Sequence, residues 1–387
     1  MTRPASTRAA SDVLDTAVAL PTDTTPTHAT PTDVMSLAPR DDASRDTRRP
    51  QAARSMLGPR LFGMAVLLGV LFVAVIASLA VGAKPIPVDE VIAAFTSFDS
   101  LDTNHLIVRE LRLPRTLVGI MVGVALGVAG AVMQAVTRNP LADPGLLGVN
   151  AGASFAVVLA IWWFGVSSMM GLVWFAFIGA ALASVAVYLL GSMGRGGATP
   201  VRMALAGAAL SALLFALTRA VTIIDQQTLD QFRFWAVGSL SGRDADVVRN
   251  LIGFVAIGLV LAIGISRQLN ALGLGEDTAA ALGVKVGVTR AISGVSIMLL
   301  CGAAVAAVGP IAFVGLVIPH AMRAWFGPDQ RWLLPACALA GPILLLGCDT
   351  IGRIIARPGE VQVGIMTAAI GGPAFVYLVR RIRIVQL

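Results

Sequence analysis

Charge is what this sequence has least of. Asp, Glu, Lys and Arg together supply 13% of its 387 residues, against about 25% in an ordinary soluble domain. Lysine occurs only at Lys84 and Lys285. So little charge cannot cover the surface of two or three water-soluble domains, which excludes a cytosolic enzyme and a disordered regulator. Cysteine is also scarce. Cys301, Cys337 and Cys348 all stand inside apolar stretches with no C-x-x-C spacing, the pattern of small buried hydrophobes. That excludes a secreted disulfide scaffold and suggests neither a metal nor a redox site. The three histidines are His28, His105 and His320. A nucleophile near Ser154 would need one of them within hydrogen-bond reach, and no spacing in the chain provides it.

A nucleotide site is missing as well. A phosphate-binding loop needs a lysine followed by Ser or Thr after its glycines, but Lys84 precedes Pro85 and Lys285 precedes Val286. The pair Gly273 and Gly275 has neither a strand before it nor a third glycine. No cofactor is called for. Paired charges at mid-span, the mark of ion-coupled carriers, are absent too. Arg219 in LLFALTRAVTII is the one ionisable candidate. An arginine costs roughly 2.5–3.5 kcal/mol at a helix centre, and this one lies near the end of its run. It either snorkels to the interface or lines a pathway.

What the sequence does have is apolar length. Hydrophobic residues make up 56%, mean hydropathy is +0.81, and there are 40 glycines. A crossing takes about 20 apolar residues. Such runs fall near 61–82, 117–137, 145–166, 168–191, 200–224, 247–267, 288–310, 331–350 and 361–380. A shorter one, 311–325, is broken by Pro319 and reads as a half-length or re-entrant helix, tolerable only when packed inside protein. The fold class expected is an all-α membrane protein of about ten transmembrane helices in a compact bundle.

Residues 1–55 differ in kind. Rich in Thr, Pro, Asp and Arg, they hold too little apolar surface to fold and are expected to form a disordered cytoplasmic tail. Met56, just before the first apolar run, offers an alternative start, and Arg48-Arg49 reads as tail charge rather than as an export signal. Seven Arg and seven Asp cancel within this tail, so the net +7 belongs to residues 56–387. There it is scattered over short loops, which suits membrane orientation rather than nucleic-acid binding. Ten crossings put both termini on one side. Taking that side as cytoplasmic gives the inner loops an excess of basic residues, as Arg381 and Arg383 near the C-terminus also suggest.

Polar motifs gather at span ends. Residues 111–116 (LRLPRT) lead into the second span from outside, and Gln134 to Pro144 (QAVTRNPLADP) follow it inside. There Asn139 and Asp143 are suited to a capped turn. Gly123, Gly127 and Gly130 form a small-residue face for close helix packing. The inner loop 268–287 (QLNALGLGEDTAAALGVKVG) is too apolar for a free loop. It docks either on another protein or on its own bundle.

Residues 112–154 (RLPRTLVGIMVGVALGVAGAVMQAVTRNPLADPGLLGVNAGAS) resemble a family signature almost position for position. So do 272–284 (LGLGEDTAAALGV), 309–323 (GPIAFVGLVIPHAMR) and 349–381. On these motifs the chain resembles the permease subunits of type II ABC importers, the FecCD/BtuC-type family that takes up ferric siderophores, haem and cobalamin. The resemblance covers about 60–387. It implies a dimer with a second permease subunit, two separate ATPase subunits at the cytoplasmic face and an extracytoplasmic substrate-binding protein. It implies outward arginines for docking that protein at Arg112 and Arg353, with Arg115 anchoring the span end instead. It implies ATPase coupling through Leu272, Glu276, Ala281, Leu282 and Gly283. A cytoplasmic gate is implied at Asn139 and Leu141, opposite Thr199, Pro200 and Val201, a loop less polar than the family pattern. Ferric siderophore is the leading substrate, with cobalamin or haem as alternatives and an ion-coupled carrier as the alternative of another class.

Overall fold

The computed structural model describes residues 57–193 and 199–381, all in helices and short connections. The expected tail, 1–55, and Arg383 lie outside the described residues. The helices are α1 (Leu57–Ala80), α2 (Val88–Thr96), α3 (Thr103–Thr137), α4 (Val149–Phe164), α5 (Met169–Ser192), α6 (Pro200–Ile224), α7 (Gln226–Ala236), α8 (Ala245–Gly264), α9 (Ser266–Leu272), α10 (Glu276–Ala281), α11 (Val286–Val308), α12 (Val314–Phe326), α13 (Gln330–Ile355) and α14 (Val363–Arg381).

Among the described residues seven helices are long and apolar enough to cross a bilayer: α1, α3, α5, α6, α8, α11 and α13. Shorter apolar helices, α4 and α14, fall where two further spans are expected. Half-length α12, with Pro319 inside it, takes the place of the broken run. The expected run at 117–137 is the later part of a helix that starts at Thr103. Asp102 caps that start, its carboxylate accepting from the Asn104 N–H at 2.7 Å, and a π-wound turn over Ile107–Arg112 leads into the apolar part. Short helices α2 and α7 have no counterpart among the expected spans. They are amphipathic pieces too brief for the apolar-run criterion.

Helix α3 is the axis of the bundle, buried along most of its length and packed on α11, α12, α13 and α8. Lipid tails give apolar helices no reason to associate, so backbone must approach backbone. A methyl group on Gly127 would stand 2.6 Å from the Cys337 carbonyl oxygen of α13. Gly123 similarly faces Gly341 and Pro342 of α13, and Gly130 faces Gly315 of α12. Gly152 and Gly179 make the same kind of seam between α4 and α5. The small-residue face expected at 123–130 is thus the contact surface of the central helix.

Candidate functional site

Two polar clusters lie at opposite ends of the spans. The first surrounds the end of α1. The last carbonyls of a helix have no donors within it, and here arginines supply them. Arg353 on α13 donates to the carbonyls of Ser78 and Val81, each at 2.9 Å. Arg112 on α3 donates to the Leu79 carbonyl at 2.6 Å and to that of Lys84. Arg357 reaches the Gly82 carbonyl at 2.9 Å. Asp349, almost wholly buried on α13, accepts three bonds from Arg115, at 2.7, 3.0 and 3.2 Å, and pairs with Arg353 at 2.8 Å. Arg115 also pairs with Glu360 at 2.8 Å. Burial pushes the Glu360 carboxyl up, but hydrogen bonding to Ser241 and the charge of Arg115 outweigh this and hold it below the usual carboxylate range.

Where the resemblance implies outward docking arginines, this geometry has both side chains turned inward. Arg112 is only 6% exposed and Arg353 only 4%, and their donors are turned to α1 and Asp349. The reason is local: five carbonyls at the end of α1 and the segment after it need donors, and Asp349 stands one turn before Arg353. Sequence reading missed Asp349 as the centre. Its signal was present, since a carboxylate and an arginine four apart share a helix face.

At the other end, the segment after α8 is folded back on the bundle. Asn270 in α9 donates to the Asp329 carboxylate at 2.7 Å and accepts from the Gln330 N–H at 2.8 Å. Leu272, one of the expected coupling residues, is 3% exposed and packs in the core. Its helical spacing from buried Leu269 explains why. Ala281, Leu282 and Gly283 are exposed, and Leu274, which sequence reading did not single out, is exposed beside them. Short helix α10 is flanked by Gly275 (φ 108°) and Gly283 (φ 83°), backbone conformations that side-chain-bearing residues rarely adopt. Glu276 pairs with Arg290 of α11 and stands 3.6 Å from Arg138.

Arg138 ends α3 in a left-handed conformation (φ 50°), and the gate candidates follow it. Asn139 accepts from the Leu141 N–H at 2.9 Å and Asp143 from the Gly145 N–H at 2.7 Å, the capped turn its sequence suggests. Leu141 is exposed at the surface of this turn. Thr199 caps α6, its hydroxyl accepting from the Arg202 N–H at 3.4 Å, with Pro200 in the first turn. Val201 is exposed. Glycine at 207 lets α6 approach the Leu146 carbonyl just beyond the gate turn. A cavity of about 700 Å³ opens at this end between Gln134, Arg138, Asn270, Arg323 and Asp329. Arg219 is exposed on α6 near its far end and makes no ion pair among the described residues.

Among the described residues, apolar spans are sealed to one another by glycine contacts and the two polar clusters stand at their ends, an arrangement suited to the membrane component of a transporter. The model of the FecCD transport family matches residues 70–381. The chain belongs to that family, whose members are permeases of ABC importers. It is 49% identical to the ferric enterobactin transport system permease protein FepD of Escherichia coli (strain K12), over 81% of this chain and 94% of that protein. The siderophore transport system permease protein YfiZ of Bacillus subtilis (strain 168) is 42% identical, with the same coverage. The hemin transport system permease protein HmuU of Yersinia pestis is 39% identical over 70% of this chain and 83% of its own length. Among solved structures, an inward-facing metal-chelate type ABC transporter matches with a TM-score of 0.73 at 29% identity, covering 84% of this chain and all of that one.

Proposed function

We propose that this chain is the membrane permease through which an ABC importer takes ferric siderophores into the cell. The relatives at 49% and 42% identity, both named for siderophore transport, support that substrate class. One structural observation carries the mechanism. Between α8 and α11 the chain presents exposed Leu274, Ala281 and Leu282 on and beside short helix α10, which is pinned to the bundle from beneath. An apolar surface of this kind, next to water and yet held in place, suits a permanent protein partner. That partner is an ATPase subunit, one on each of two permease copies. Its side is the cytoplasm, and both chain termini face it, in keeping with the excess of basic residues in those loops.

At the opposite end an extracytoplasmic binding protein delivers the chelate. Because Arg112 and Arg353 are buried, docking falls to exposed charges beside them, Arg109, Glu110 and Arg357. Arg219, exposed on α6, belongs to the substrate path and attracts an anionic chelate. Closure of the ATPase pair changes which permease conformation is favoured, and access passes from one side to the other by population shift. The turn carrying Asn139 and Leu141 and the start of α6 at Thr199, Pro200 and Val201 form the cytoplasmic gate.

Uptake of radiolabelled ferric siderophore, haem and cobalamin in a deletion strain tests the substrate. Loss of siderophore uptake alone, restored by the gene, is the expected result. Loss of haem or cobalamin uptake with siderophore uptake intact overturns the assignment.

A further inference from the structure

Glu276 is the one carboxylate in the proposed coupling segment that faces the bundle. Its side chain is 38% exposed, and it reaches two arginines on two other helices. Arg290 lies in the second turn of α11. Arg138 caps the end of α3, one residue beyond Thr137, and the gate turn begins at the next position, Asn139. The guanidinium of Arg138 also lies over the glycine joint before α10, since a methyl on Gly275 would stand 4.0 Å from its Nη1.

The backbone around Glu276 is built as a lever. Rigid α10 sits between left-handed glycines at 275 and 283. Upstream the segment is fixed by buried Leu272 and by the Asn270–Asp329 bond. A push on Leu282 therefore turns α10 about those joints instead of displacing the whole segment. Helix α3, packed on every side, cannot follow such a movement as a body, but the turn after Arg138 can. A carboxylate shared by two guanidiniums is held by charge from both directions, and in such a network the pairs act together.

We infer that Glu276 is a positioning residue: through Arg138 it ties the coupling helix to the gate turn, so that motion of α10 moves Asn139 and Leu141. This rests on reading 272–284 as the ATPase docking segment and adds that Glu276 works inward, not as a contact to the ATPase.

The test uses the whole importer, permease with its ATPase subunits and binding protein, in proteoliposomes, measuring ATP hydrolysed and ferric siderophore transported. For Glu276→Gln we expect ATPase subunits to stay attached and hydrolysis to hold within about twofold, while transport falls about fivefold, the low end of ordinary coupling between sites. Arg138→Gln should show the same split, and the double variant should be no worse than the worse single, because both remove one link. Glu276→Asp, which keeps the charge, should recover part of the transport. Release of the ATPase by Glu276→Gln, or normal transport by Arg138→Gln, overturns the inference. Leu282→Asp separates the two levels. If it leaves the ATPase attached, the docking reading itself fails; if it releases the ATPase while Glu276→Gln stays fully coupled, only the inward link fails.

Discussion

Replacing Asp349 with Asn removes one negative charge from the centre of the arginine cluster and leaves its shape almost unchanged. The carboxylate is 1% exposed and serves Arg115, itself 13% exposed, and Arg353, 5% exposed. Removing one partner of a buried ion pair costs about 3–5 kcal/mol, because the other charge stays buried without compensation. Asn keeps one acceptor oxygen, and Glu360 still faces Arg115, so about 3 kcal/mol is the figure to expect. At about 2 °C per kcal/mol, the lower rate for large domains, the Tm should fall by about 6 °C. The protein carries its own reporter. Cys301, Cys337 and Cys348 are free and buried, so a thiol-reactive dye reads unfolding directly in detergent. Glu360→Gln is the control. Its side chain is 33% exposed, and an exposed pair is worth about 0–1 kcal/mol. A Tm for Asp349→Asn within about 2 °C of wild type, or a larger fall for Glu360→Gln, would refute the view that Asp349 holds α1, α3 and α13 together.

Gly127→Val should abolish the yield of monodisperse protein, because its first carbon meets the Cys337 carbonyl at 2.6 Å and backbone cannot yield as a side chain can. Gly253→Ala on α8, with nothing within 4 Å, should leave yield unchanged or raise it. Asp329 is held low, to about 2, chiefly by hydrogen bonding to Arg331 and also to Asn270. Its folded value is thus below the unfolded one of about 3.9. The stability it contributes is fully present above that value and is lost as pH falls toward 2. Asp329→Asn should therefore lower the Tm at pH 7 and show a shallower further loss between pH 5 and about 3 than wild type. Equal slopes on that acid limb would remove Asp329 from the account.

The spans were legible because a bilayer imposes one requirement, length without charge, and the chain states it repeatedly. Where a helix extends beyond the apolar run, the criterion stops early. The polar start of α3 at Thr103 and the pieces α2 and α7 show this, being stabilised by capping and local packing. The glycine face of α3 was legible as a contact surface, but its partners on α12 and α13 were not, since spacing within one helix names no neighbour. The arginines show the same limit more sharply. Arg112 and Arg353 stand at span ends, where a charge is equally suited to a rim or to capping another helix's carbonyls. Only the position of α1 decides between them. Leu272 and Leu282 are both apolar residues of one segment, yet the turn at Gly273 and Gly275 sends one into the core and the other outward.

The central claim is that transport through this bundle is driven by a separate ATPase and not by an ion gradient. Its most direct test is uptake of ferric siderophore into proteoliposomes holding the permease, its ATPase subunits and the binding protein, with ATP inside or a proton or sodium gradient imposed. Uptake that requires ATP and the ATPase subunits, and ignores the gradient, is the predicted result. Uptake by the permease alone under a gradient, with ATP making no difference, would contradict it.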